Sequence, residues 1–403
     1  MIYLALPILN ESANLPALIN CLSFQETDGF ELFACVNNYD QWWADEDKLS
    51  QCMDNQESIR ILCSVTGFKV NVIDKSSTGK AWRKKKGGVG HARRVLMDAI
   101  SNAAAPNDLI VSIDADTYYP PDYLREIAKV LDGTGVIGLS LPYYHRLNGI
   151  NDRLILRYEI YMRYYLSNML RIKNPYAFTA IGSAMAFPVR AYRKVGGITP
   201  VSSGEDFYFL QKLSKSGFVC NWANTTAYPS GRFSDRVGFG TGPALIKGGK
   251  GDWGSYPFYP PGLFDVVKST YDKFPLLYER NIKCDMDEYL SKQFKTNKIW
   301  DALRDNYKDR ENFVKACVNK VDALRILQFL KSENIKSPVN DSSVLKRYLK
   351  KYHSDDLSPE LFGLVEGLDF NKSSIHELDL LRNWMFESEN RLREAQTDKM
   401  FDE

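Results

Sequence analysis

Apolar runs and amphipathic stretches alternate along the first 141 residues, and this alternation limits the fold more than any other feature of the chain. Residues 2–7, 31–37, 68–74, 109–114 and 136–141 read as strands. Residues 15–22, 50–66, 89–104 and 122–131 carry apolar side chains at helical spacing. Strands that alternate with helices build a mostly parallel sheet covered on both faces, so the expected class is α/β. Such sheets bind ligands beyond the carboxyl ends of their strands. Pro7 to Asn10, Asn37 and Asn38, Asp74, and the pair Asp114 and Asp116 all fall at those ends. A site is therefore expected there before any motif is considered.

The texture changes past residue 265. Segments 286–298, 299–306, 311–332, 342–353 and 376–394 have Leu, Lys, Glu and Asp at helical spacing, and none reads as a strand. The expected organisation is a domain over 1–265 and a helical domain or extension over 266–403. The join, 231–262, holds Gly238, Gly240, Gly242, Gly248, Gly249, Gly251 and Gly254. It is too long for a plain connector and reads as a lid or an acceptor-binding loop.

Charge and cysteine usage exclude some functions. The 52 basic residues nearly match the 50 acidic ones, so no global field directs the chain to nucleic acid. The seven cysteines are scattered, odd in number and without a C-x-x-C pair, which suits reduced thiols. The amino terminus enters an apolar segment with no basic stretch before it. The longest membrane-span candidate, 177–189, falls short of the ~18 residues a spanning helix needs. The expected location is the cytoplasm, with a basic loop at 80–94 able to touch the inner face of a membrane.

Four groups of residues carry chemistry. Asp114 and Asp116 follow an apolar strand with one alanine between them. Alternate strand residues point the same way, so both carboxylates can meet at one divalent ion that neutralises a diphosphate; strand-end turn chemistry is the other reading. Lys80, Arg83, Lys84, Lys85, Lys86, Arg93 and Arg94 surround Gly87-Gly88-Val89-Gly90 at a helix start. Backbone amides and cations there suit an anion, and Arg93, one turn in, points to phosphate; the lysine run reads more simply as a solvated loop. Gly204-Glu205-Asp206 opens another helix. Asp206 is either a general base or part of a cap that complements the helix dipole. Arg232 and Arg236 can grip phosphate or an acidic acceptor, or else pair with Asp235 at the surface. The four histidines are isolated and form no metal or triad pattern.

Taken in order, a strand ending ALPILNE, the segment Gly-Gly-x-Gly-x-Ala-Arg, the D-A-D at 114–116 and the G-E-D at 204–206 resemble family 2 glycosyltransferases of the GT-A fold. The likeness covers roughly residues 1–240. It implies a nucleotide-diphospho-sugar donor, a divalent metal (Mn²⁺ or Mg²⁺), and a sugar, lipid-linked or other hydroxyl acceptor in polysaccharide or glycoconjugate synthesis. It further implies that Pro7, Asn10 and Glu11 line the nucleoside pocket and that Asp114 faces the ribose or sugar. Asp116, with Asp114 beside it, meets the metal. Asp206 is then the base, giving inversion, and Glu205 orients or binds acceptor. The chain departs from the family at three points, one of them an unusual insert around Gln41-Trp42-Trp43. Asn37-Asn38 stands where Asp-Asp is common, leaving an amide to meet the base edge. Tyr228-Pro229-Ser230-Gly231-Arg232 stands where a metal-binding His is frequent, so Arg232 or Arg236 can share the diphosphate's charge.

Two rival classes remain at this level. A sugar-phosphate nucleotidyltransferase also pairs acids on such a sheet, but usually carries a Gly-rich basic loop in the first strand-helix turn. Leu9-Asn10-Glu11-Ser12 has no basic residue there. A nonenzymatic anion-binding module would rest on the basic loop alone, and the near-zero net charge counts against it.

Overall fold

The computed structural model describes residues 1–27, 29–83, 87–233, 238 and 240–402. The chain forms two compact units, each built from separated stretches. The first comprises Met1–Tyr158, Phe178–Trp253 and Arg393–Glu403; the second comprises Glu159–Ala177 and Gly254–Leu392. This partition differs from a single break at 265/266. The helices Asp152–Arg171 and Ile375–Asp402 each pass from one unit into the other.

The first unit is a seven-stranded sheet with helices. Its strands are β1 (Ile2–Ile8), β2 (Phe30–Asn37), β3 (Lys69–Lys75), β4 (Leu109–Ser112), β5 (Gly138–Ser140), β6 (Met185–Pro188) and β7 (Val219–Cys220). They lie in the order β3-β2-β1-β4-β6-β5-β7. Pairing is parallel from β3 to β4 and between β5 and β7, and β6 runs antiparallel to both β4 and β5. The central strands β1 and β4 are buried on both faces, which is why they read as apolar runs rather than strict alternation. Helices α1 (Leu15–Ser23), α2 (Glu46–Cys63), α3 (Val89–Ala103), α4 (Tyr123–Leu131), α5 (Asp152–Arg171), α6 (Val189–Lys194), α7 (Glu205–Ser214) and α8 (Thr241–Gly249) follow in chain order. One continuous core runs through Leu4, Leu6, Leu32, Val111, Ile127, Leu139 and Ala186.

β6 was not expected. It lies inside the apolar stretch 177–189, where a short buried run gives no period to distinguish strand from helix. β4 stops at Ser112, so Asp114 and Asp116 lie past its end and strand alternation does not set their directions. The expected loop over 231–262 contains α8.

The second unit is helical, as its composition suggests. It holds most of α5 and α16 (Ile375–Asp402), with α9 (Pro261–Leu277), α10 (Asp287–Phe294), α11 (Asp301–Asn306), α12 (Arg310–Lys320), α13 (Ala323–Lys336), α14 (Asp341–His353) and α15 (Pro359–Gly367) between. The single helix expected over 311–332 is two, because Asp322 caps α13 by accepting from the Arg325 amide. Arg163 and Arg382 are fully buried there with Glu159 and Glu389, so their charges are compensated within the unit. No helix among the described residues is long and apolar enough to cross a membrane. All seven cysteines are free, and only Cys63 is exposed.

Candidate active site

The carboxyl ends of β1 to β4 carry the polar residues expected of them. Glu11, just past β1, is buried, and Asn10 takes a left-handed backbone with φ 56° while its amide donates to Asn55 Oδ1 at 2.9 Å. Pro7 sits in β1 beyond the last residue paired to β4, so its missing N–H leaves no gap in that ladder. Asn37, at the end of β2, is spent within the protein. Its Nδ2 donates to the Ile8 carbonyl at 2.8 Å and its Oδ1 accepts from the Trp82 indole at 3.1 Å. An amide expected to meet a base edge thus braces two strand ends instead, and the half-buried Trp82 is the side chain laid over that end. Asp74, at the end of β3, is turned into its own loop. Partial burial pushes its pKa up, but the Ser77 hydroxyl and amide, the Ser76 amide and Lys80 outweigh it and hold the group down at about 2.

Asp114 and Asp116 are held by two different arginines. Arg93, one turn into α3, donates from Nη2 to Asp114 Oδ1 at 2.7 Å and from Nη1 to Glu205. Its side chain is 4% exposed. The helix start was expected to offer Arg93 to a phosphate; the guanidinium points inward because two carboxylates from different parts of the chain need its charge there. Gly182 makes room for it. A Cβ at that position would lie 2.2 Å from Arg93 Nη2, so only glycine lets the backbone approach so closely. Arg232 lies on the loop after β7. Its Nε donates to Asp116 Oδ2 at 2.7 Å and its Nη2 to Glu11, and it is 34% exposed. The common metal site expected of Asp114 and Asp116 is therefore divided: Asp114 goes with Arg93, and Asp116 pairs with Glu11 through Arg232. Among the described residues no three His, Cys, Asp or Glu side chains gather as a metal-holding group. Lys84, Lys85, Lys86 and Arg236 lie outside the described residues.

Glu205 and Asp206 open α7. Gly204 precedes them with φ 76°, a left-handed conformation that glycine adopts without strain, and this swings both acids to the helix start. Glu205 is buried against Arg93. Asp206 accepts from the Phe207 amide at 2.8 Å. Burial pushes its pKa up and the Glu205 charge adds to this, against Arg93, leaving it at about 7. A carboxyl poised there can take a proton at neutral pH, whereas an ordinary aspartate is too weak a base.

Two supports were not legible in advance. Tyr119, which reads as part of a turn, is buried. Its hydroxyl accepts from the Asp114 amide at 3.0 Å and donates to the Ser183 carbonyl at 3.2 Å, fixing the backbone of the first acid. Tyr118 and Tyr228 exchange backbone hydrogen bonds at 3.0 Å each, tying the segment after Asp116 to the segment before Arg232.

Over part of its length this chain is similar in sequence to known glycosyltransferases. Residues 109–268 match the family model described as glycosyl transferase family group 2, a span from β4 into α9 that is short of half the chain. The resemblance to family 2 glycosyltransferases thus holds over the stretch bearing both acid motifs. No curated protein matches the chain in sequence. Among solved structures, TarS 1–349 from S. aureus in complex with UDP-GlcNAc is similar at 12% identity and TM-score 0.42, covering 99% of this chain and 92% of that one. The mannosyltransferase PcManGT from Pyrobaculum calidifontis, in complex with GDP-Man and Mn²⁺, is similar at 12% identity and TM-score 0.38, with coverage of 95% and 87%. Scores of this size carry no inference about substrate.

Proposed function

We propose that this chain transfers a sugar from a nucleotide-diphospho-sugar to an acceptor hydroxyl, with inversion, and that 1–265 is the region that does so. The observation that carries the reading is the single buried guanidinium of Arg93, which joins the first acid of the D-A-D to the G-E-D helix start. Donor-side and base-side residues are thereby assembled around one group.

The nucleoside lies over the ends of β1 to β3, against Pro7, Asn10 and Glu11, with Asn37 and Asp74 shaping the floor rather than reading the base. Asp114, fixed by Arg93 and by Tyr119 behind its backbone, orients the ribose or sugar. The donor set at Asp116 and Glu11 suits a divalent ion: both are hard oxygen ligands, and these two carboxylates would hold Mg²⁺ or Mn²⁺ beside the diphosphate. When bound, the ion neutralises charge on the diphosphate. Arg232, already between these two carboxylates, turns its guanidinium to the same phosphates and shares the charge that builds as the glycosidic bond breaks. Asp206 removes the proton from the acceptor hydroxyl. The oxygen attacks the anomeric carbon opposite the leaving diphosphate, so the bond to the acceptor forms as the bond to phosphate breaks. Glu205, paired with Arg93, raises the basicity of Asp206. The acceptor belongs to polysaccharide or glycoconjugate synthesis.

The test is a panel of nucleotide sugars and nucleoside diphosphates, with and without Mn²⁺, read by thermal shift and by release of nucleoside diphosphate. One base should stabilise the protein and its sugar conjugate should be turned over. Indifference to every member of the panel would sink the transferase reading, and a product of retained anomeric configuration would remove Asp206 as base.

A further inference from the structure

One cation near the site takes no part in these pairings. Arg146 lies on the chain after β5 and is exposed. Its guanidinium carbon stands 4.3 Å from the ring centre of Tyr118 and 4.5 Å from that of Tyr228. Tyr118 is 40% exposed, and Tyr144 meets Tyr228 edge-on at 6.2 Å. Among the described residues no carboxylate or carbonyl holds the Arg146 guanidinium. Arg93 and Arg232, by contrast, each carry two carboxylates. Stacking on two rings fixes the plane of a guanidinium while leaving its N–H edge open, and that edge matches an oxyanion in two-point geometry.

The position says which substrate the edge meets. Tyr118 comes two residues after Asp116, and Tyr228 four before Arg232, so the platform borders the reacting end of the site. It lies toward the β5–β7 edge of the sheet. Tyr143 bridges Ala227, extending the β5–β7 pairing, and the strand order places β5 and β7 across β4 and β6 from the ends of β1 to β3. The nucleoside residues occupy those far ends, and the diphosphate already has Arg232. We propose that Arg146, stacked on Tyr118 and Tyr228, is an anion subsite for the acceptor: it takes a phosphate or carboxylate carried by an acidic sugar whose hydroxyl is glycosylated. This rests on the transferase reading.

The experiment uses the full chain with a saturating nucleoside diphosphate, and titrates glucose 6-phosphate, glucuronate and glucose by calorimetry. At least one acid should bind about ten times more tightly than glucose, with the nucleoside diphosphate still in place, as one charge-assisted oxyanion contact allows. The tighter acid names the acceptor's anion. Arg146→Gln should remove that preference, Arg146→Lys should keep part of it, and Tyr118→Ala should weaken it, while donor hydrolysis stays unchanged in all three. Equal binding of acids and glucose in the wild type would overturn the proposal. So would competition between the acids and the nucleoside diphosphate, which would give Arg146 to the donor. If donor is bound and hydrolysed but no acid binds, this subsite fails and the transferase reading stands. If no nucleoside diphosphate binds, both fall.

Discussion

The two acids of the D-A-D are each met by an arginine, and the two arginines differ. Arg93 is 4% exposed, seated against Gly182, and joins carboxylates 91 residues apart, Asp114 and Glu205. Arg232 is 34% exposed, on a loop, and joins Asp116 to Glu11. A buried ion pair leaves an uncompensated charge in low dielectric when one partner goes, so Arg93 is bound into the stability of the fold. The Arg232 guanidinium is partly exposed although Glu11 beside it is buried, so Arg232 can exchange its carboxylates for phosphate at a smaller cost than Arg93. Two similar contacts thus divide the work: one holds the site together and the other is free to act in it.

The sharpest way to break this comparison is to remove each arginine. Arg93→Met should cost about 3–5 kcal/mol, the usual penalty for orphaning buried charge. That is a fall in melting temperature on the order of 10 °C, with activity lost and only partly regained in Arg93→Lys. If Arg232→Met melts as low as Arg93→Met, the division fails.

Asp206 belongs to the Arg93 side, and its replacement sharpens what that side is for. Asp206→Asn should lower turnover by roughly 10²–10⁴-fold while leaving nucleoside diphosphate binding intact. Because burial holds the Asp206 pKa up at about 7, wild-type activity should fall as pH drops below 7. The folded state also binds this proton more tightly than the unfolded one, so the stabilisation it gives is complete below about pH 4 and is lost as pH rises to 7. The Asn variant should therefore melt higher than wild type at pH 8, and the gain should vanish near pH 4. A variant that melts lower at pH 8 would contradict the buried-base account.

Arg232→Met should cost less stability than Arg93→Met, on the order of 1–3 kcal/mol as buried Glu11 loses its partner, and reduce turnover about tenfold or more. Its residual activity should depend more steeply on Mn²⁺ and fall further with chelator than the wild type's. Equal metal dependence in both would take Arg232 off the diphosphate. The smallest effect belongs to Asp74, further along the same strand ends. Its pKa is held down at about 2, so it stabilises the fold above about pH 4 and ceases to as pH falls through 2. Asp74→Asn should cost on the order of 1–2 kcal/mol at pH 7 without changing turnover, as urea titration at pH 7 and pH 2.5 would show.

Much of this site is legible in the sequence, and the limits have physical causes. β1 to β4 and α3 are visible because buried parallel strands are apolar runs and α3 has a clear apolar stripe. The motifs around Asp114, Asp116, Glu205 and Asp206 are local, so spacing finds them. What spacing cannot find is a pairing across the chain. Arg93 stands out as a cation at a helix start, but its inward direction depends on Glu205, 112 residues away, and on the space left by Gly182. Tyr119 is hidden because it sits among turn residues, although its hydroxyl supports the Asp114 backbone. The platform of Tyr118, Tyr228 and Arg146 comes from three strand ends that are neighbours only once the sheet is ordered.

The last helix carries a consequence for how this protein is made. Arg393, fully buried, donates to the carbonyls of Ser140 at 3.1 Å and Asn221 at 2.8 Å, and Asn221 also meets Gln396. These contacts are at the ends of β5 and β7, in the unit that bears the site. On the ribosome, the strand-end carbonyls of Ser140 and Asn221 must wait until residue 393 has emerged before Arg393 can meet them. A nascent chain arrested before residue 393 would carry every proposed catalytic side chain, yet leave these strand-end carbonyls without their arginine and open to chaperones.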